Sequence, residues 1–141
     1  WSSDVCSSDL LSCAAGCATL EVYEDDKLLE NCKAMGKILG EELEKFKEKH
    51  VCVGDVRYIG LFSAIELVKN KETREAIVSY GSDPEKIMGR IVGELKEKGF
   101  STYSHENCII VAPPLIIKEN ELREALVILD EVLYYVDKEL I

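Results

Sequence analysis

The chain is poor in the groups that most recognition and catalysis draw on. Two histidines, His50 and His105, are all it offers as near-neutral bases. Neither stands at a suggestive spacing from Ser12, so no Ser–His dyad is legible. Lysine and arginine total 17 against 27 aspartates and glutamates, giving a net charge of −10. A phosphate backbone requires clustered cations, which excludes a nucleic-acid partner. No apolar run approaches the ~20 residues that cross a bilayer, which excludes a membrane span. The glycines form no phosphate cradle. Gly36 and Gly40 fall inside a helical pattern, and "GDVRYIG" lacks the strand–turn–helix context. All thirteen lysines lie on charged helical faces or in polar loops. A Schiff-base lysine needs partial desolvation, so none qualifies. Catalytic residues, cofactor-binding residues and metal ligands are therefore expected to be none in this chain.

The opening "WSSDVCSSDL" has no helical or strand period, and no apolar core that would make it a secretory leader. Its back-translation resembles the reverse complement of a common short-read sequencing adapter. Residues 1–10 are therefore read as an artefact outside the fold, the alternative being a natural tail. Without Asp4 and Asp9 the remaining chain carries −8 of the −10. Those 131 residues (141 minus 10) suit one domain with a modest core. Cys6 belongs to the artefact. Cys13 and Cys17 share one helical face and could begin a metal site, but no Cys or His pair follows at ligand spacing. The competing reading takes the cysteines as small buried thiols of a cytosolic protein.

Ser12 to Glu24, rich in Ala, reads as a helix packed closely against something. Asp25 and Asp26 interrupt it. Leu28, Cys32, Met35, Leu39, Leu43 and Phe46 then recur at helical spacing through Lys49, and His50 ends that helix as a surface residue. "VCVGDVRYIG" and "LFSAIELV" read as adjoining strands with a bulge at Gly60. "KNKETREAIVSYG" is a polar connection. Ser82 is expected to cap the next helix, with Pro84 in its first turn and Glu85 completing a capping box; Gly99 ends it. "FSTYS" and "CIIVA" are strands joined by a turn, and Pro113 and Pro114 end the second. The last helix spans Glu119 to Glu139. Two strand pairs alternating with helices predict a two-layer α/β sandwich with a mainly antiparallel sheet. Arg57 and Glu66 are the charges within the strands. A buried carboxylate must be paired, so they are either a structural pair or the lining of a substrate pocket. His105, in a turn, is either solvated or a base.

"LSCAAGCATLEVYEDDKLLEN", "VGDVRYIGLFSAIELVKNKETRE" and "GFSTYSHENCIIVAPPLIIKENEL" resemble, in order, the C-terminal part of class III aminotransferases. These are pyridoxal-phosphate enzymes of the aspartate-aminotransferase fold. The resemblance implies an interdomain helix over residues 11–26 and the small C-terminal domain over 27–141, an antiparallel-rich sheet with helices on one side. It places Leu11 just after a Gly-His-Pro segment. The Schiff-base lysine, the aspartate at the pyridine nitrogen, the stacking aromatic and the phosphate-reaching threonine would all lie upstream. The chain alone should then bind no pyridoxal 5'-phosphate and catalyse nothing.

Departures from the family pattern narrow the substrate. Aminobutyrate- and acetylornithine-type members carry a carboxylate-binding arginine where Ile110 stands, and Ile cannot make that bidentate pair. The run "GFSTYSHENCIIVAPPLII" looks more like taurine– or ω-amino acid–pyruvate members. Those place an arginine near Tyr103 or His105, and none is here. Tyr58 stands where the family has Gly. Lys118 replaces a capping Thr and should weaken that helix start. The resemblance thus implies candidate substrate-binding residues His105, Tyr103, Tyr58 and Arg57. It also implies a cytoplasmic homodimer that passes an amino group from an ω-amino or taurine-like donor to an oxo-acid such as pyruvate. The rival reading is a free-standing α/β ligand-binding or regulatory module without catalysis. A purely structural dimerisation piece lacks any heptad seam.

Overall fold

The computed structural model describes residues 9–141. The order of elements is α1 (Leu10–Asp25), α2 (Leu28–Lys49), β1 (Val53–Ile59), β2 (Phe62–Asn70), β3 (Glu75–Ala76), α3 (Ile87–Glu97), β4 (Tyr103–His105), β5 (Cys108–Val111) and α4 (Glu119–Glu139). The strand order is β1-β2-β5-β4, antiparallel throughout, with the short β3 beside β2. The expected two-layer α/β architecture with an antiparallel sheet is the one observed.

The helix-covered face of the sheet explains its stability. Val56, Ile65, Ile109 and Val111 alternate inward along their strands and meet Leu39 and Leu43 of α2, Ile91 and Leu95 of α3, and Leu129 and Leu133 of α4 in one apolar cluster. Each such side chain, fully withdrawn from water, contributes about 1.5–3 kcal/mol. Two glycines let α2 approach the strands closely. A Cβ at Gly36 would lie 2.6 Å from the backbone of Gly60, in the β1–β2 turn. Gly60 itself has φ +56°, which suits glycine.

α1 differs from everything that follows. Asp9 caps it, its carboxylate accepting from the N–H groups of Leu11 at 3.0 Å and Ser12 at 3.1 Å. None of the residues of α1 is buried. Its Ala-rich face was expected to need a partner, and among the described residues it has none. Asp9 and Leu10, assigned above to the artefact, are continuous with this helix. The remainder of that assignment, residues 1–8, lies outside the described residues.

Several local expectations are corrected. His50 is not a surface residue; it is 1% exposed, between α2 and α4. The bulge lies between Val53 and Asp55, at Gly54, rather than at Gly60, which makes the hairpin turn instead. Ser82 and Glu85 do not cap α3. The Asp83 carboxylate does, accepting from the N–H groups of Ile87 at 2.8 Å and Met88 at 3.0 Å. An intervening turn, closed by Lys86 N–H to the Asp83 carbonyl, delays the helix and brings the stronger anionic acceptor to its end. The polar connection after β2 also carries β3 and the buried Ile77 and Val78. At the start of α4 the Lys118 ammonium is no acceptor, but the Glu121 side chain accepts from the Lys118 N–H at 2.9 Å, supplying half of a capping box. Among the described residues no helix is long and apolar enough to cross a membrane.

Candidate functional site

Among the described residues no helix covers the second face of the sheet, and three of the four candidate residues gather there. Register and alternation build it in two rows. Arg57 pairs with Ala64, Ala64 with Ile110, and Ile110 with Tyr103. Asp55 pairs with Glu66, Glu66 with Cys108, and Cys108 with His105. Side chains on directly paired residues share a face. Arg57, Tyr103 and His105 therefore look out from one surface, with Arg57 and Tyr103 about 14 Å apart at three strand spacings. All three are exposed. Ile59 and Phe62 extend the same surface beside the hairpin turn, both exposed.

Tyr58 is not with them. Alternation turns it to the covered face, where its ring lies over Gly40 of α2. A Cβ at Gly40 would stand 2.4 Å from the Tyr58 ring. Tyr58 thus packs on the helix side.

The charges on the open face are mutually satisfied. Arg57 Nη1 donates to Glu66 Oε2 at 2.9 Å and lies 3.7 Å from Asp55 Oδ2. Its Nη2 reaches the Cys108 sulfur at 3.6 Å. The hydrogen bond to Glu66 raises the pKa of Arg57 further. Glu66 and Asp55 both engage the guanidinium, so Arg57 is not a free anion receptor. Burial pushes the Cys108 thiol upward, Glu66 adds to that and Arg57 opposes it. A thiol held protonated is a poor nucleophile.

No lysine offers a nucleophilic amine. Every one is exposed except Lys47, which is half-buried and donates to Asp55 Oδ1 at 2.8 Å. Beside the sheet, a cavity of about 230 Å³ opens between the end of β5 and α4. Phe100, Pro113, Ile117 and Leu122 line it together with Thr102, and no titratable group does. None of the four candidate residues reaches it. Among the described residues no group of three or more His, Cys, Asp or Glu side chains could hold a metal ion. Cys13 and Cys17 are exposed and free on α1, Cys52 is buried, and Cys32 and Cys108 are half-buried.

Sequence reasoning missed one polar cluster, at His50, Asp130 and Asp137. Its signal was present: Asp130 and Asp137 stand seven apart on α4, and His50 directly precedes the apolar run of β1.

Comparison with known proteins agrees with this architecture. The family model "Aminotransferase class-III" matches residues 6–133. The solved structure of a taurine:2-oxoglutarate aminotransferase from Bifidobacterium kashiwanohense, in complex with PLP and glutamate, is 45% identical with a TM-score of 0.88, over 93% of this chain and 29% of that one. An ethanolamine-phosphate phospho-lyase homolog 1 from Caenorhabditis elegans is 35% identical over 87% of this chain and 26% of its own length. A taurine–pyruvate aminotransferase from Bilophila wadsworthia is 35% identical over 84% of this chain and 26% of its own. The chain spans about a quarter of the length of these curated relatives. The match over most of its residues, on a fold shared with solved members, places the chain in the class III aminotransferase family.

Proposed function

We propose that this chain serves as the small-domain part of a pyridoxal-phosphate-dependent aminotransferase that acts as a cytoplasmic homodimer. Its reaction would move an amino group from an ω-amino or taurine-like donor to an oxo-acid such as pyruvate. The observation that carries this reading is the open sheet face. Arg57, Tyr103 and His105 stand in two adjacent rows of it, uncovered by any described helix. Taurine is the donor in the names of two of the similar proteins. The cofactor would supply the electron sink, and its lysine anchor would come from outside this chain. The residues of this chain would form one wall of the substrate pocket, with Tyr103 and His105 presenting hydrogen-bonding tips and Ile59 and Phe62 excluding water. The chain by itself would be inactive. The five free thiols among the described residues suit a reducing compartment.

The test begins at the source locus, read upstream of Leu11. The full reading frame is then expressed and assayed with taurine and ω-amino acids against pyruvate and 2-oxoglutarate. Amino transfer is the expected outcome, with no turnover by the 141-residue chain alone. Release of ammonia or phosphate without amino transfer would sink the transaminase reading in favour of a lyase. A reading frame with no upstream lysine at an apolar strand end would leave a binding module.

A further inference from the structure

The buried histidine has an unusual setting. His50 follows the last residue of α2, and its ring is 1% exposed. Nδ1 lies 2.7 Å from Asp137 Oδ2, and Nε2 lies 2.9 Å from Asp130 Oδ1. Both carboxylates come from one face of α4. The Phe46 ring meets the imidazole edge-on at 5.9 Å.

The two arms are not equivalent. Asp137 is 12% exposed, and its other oxygen accepts the Cys52 N–H at 2.8 Å. It is fixed from two sides. Asp130 is 31% exposed, and its carboxylate also takes Lys49 Nζ at 2.6 Å. It has water and a lysine to turn to. The remaining titratable groups around the ring are few. The Cys52 thiol is pushed up by burial and by Asp137 and stays neutral. Lys71, beyond β2, donates to the Lys47 carbonyl.

A carboxylate can only accept, and a neutral imidazole has a single N–H. Both contacts are hydrogen bonds only while both ring nitrogens carry protons. Removal of one proton sets a nitrogen lone pair against a carboxylate oxygen. The fixed, more buried Asp137 keeps the Nδ1 proton, so Nε2 is the nitrogen that loses it.

We propose that His50 is a proton-operated latch on the C-terminal helix. The doubly protonated ring fastens Asp130 and Asp137 together; the neutral ring keeps Asp137 and releases Asp130 to Lys49 and solvent. The acid edge of the latch follows from Asp130. Burial raises its carboxyl, but hydrogen bonds from Lys49 and His50 outweigh that and leave it below its ordinary value. The Asp130 arm is therefore complete above the ordinary aspartate range and lost as pH falls through the lowered folded value. At the alkaline edge it opens when Nε2 gives up its proton.

The experiment uses the 141-residue chain, labelled with nitrogen-15. Ring-nitrogen resonances are followed through a pH titration together with hydrogen exchange of the α4 amides. The exposed His105 serves as the internal reference. At the pH where His50 loses its second proton, Nδ1 should remain protonated, and the protection of the amides around Asp130, taken against the intrinsic exchange rate at each pH, should fall about fivefold, the change expected for one lost hydrogen bond. Asp130→Asn should abolish that step, because an amide can present either its oxygen or its N–H to the ring. A ring with one N–H at every pH overturns the latch. So does a ring that titrates while the protection of the α4 amides stays constant, or an Asp130→Asn chain that keeps the full step.

Discussion

The two faces of the sheet use the same strands for opposite ends. On one face Ile65 and Ile109 are fully withdrawn from water beneath three helices. On the other, one residue along, Arg57, Phe62, Tyr103 and His105 meet solvent. The period of two allows this division: each strand gives alternate residues to a core and to a surface. The covered face is apolar and tightly filled, so its residues are constrained by volume. The open face combines paired charges with exposed aromatics, which packing within this chain does not require. Stability and, under the proposed function, recognition would therefore be separable by the parity of a residue within its strand.

Truncating one residue on each face of β2 should affect stability very differently. Ile65→Ala should destabilise the chain by about 2–5 kcal/mol, from lost burial and the cavity left behind. Phe62→Ala, three residues earlier on the open face, should change stability by less than about 0.5 kcal/mol. Denaturant unfolding of both variants reads the difference. Similar losses for the two would mean that the open face is structurally as important as the covered one.

A smaller effect is expected where the backbone of α2 meets the β1–β2 turn. In Gly36→Ala the new methyl group meets the Gly60 backbone at 2.6 Å, and backbone cannot swing aside as a side-chain end can. The gain in helix propensity from Gly to Ala, about 1 kcal/mol, is then opposed by overpacking of about 1–3 kcal/mol. A net loss in thermal unfolding is expected, with β1–β2 amides exchanging faster. A rise in Tm would show that α2 can shift outward at little cost.

The elements with strong periods could be read from the sequence. α4 was bounded correctly because Leu122, Leu126, Leu129, Leu133 and Val136 form an unbroken stripe. The two hairpins could be read from alternation and from glycine and proline. The cap of α3 could not, because several polar residues stand before the first apolar one, and the turn at Lys86 decides among them by geometry alone. The burial of His50 was hidden for a related reason: its partners lie eighty and eighty-seven residues away, on α4. The open face was partly visible. Arg57 and Glu66 stood out as charges in apolar strands, and their pairing was among the expectations. That Tyr58 would part company with Arg57 followed from parity, which motif comparison by itself does not consult.

The mildest perturbation tests whether the two faces communicate around the edge of the sheet. β1 is an edge strand, and Lys47, near the end of α2 on the covered side, reaches Asp55 on the open side at 2.8 Å. The two side chains are 39% and 42% exposed, so solvent screens the pair. Lys47→Met should cost less than about 1 kcal/mol at neutral pH. The sign of its pH dependence follows from both partners. The hydrogen bond from Lys47 lowers the Asp55 carboxyl, against a smaller opposing effect of burial. A lowered carboxyl contributes stability above its unfolded value, ~3.9, that fades as pH falls through the folded one. The hydrogen bond to Asp55 likewise raises Lys47, whose contribution is complete below its unfolded value, ~10.4, and fades as pH climbs past the folded one. The gap between the parent chain and Lys47→Met should therefore be flat across the neutral range and close at both ends. A gap that persists in strong acid would assign the effect to the lysine's apolar stem packing along β1. The edge would then join the two faces by contact rather than by charge.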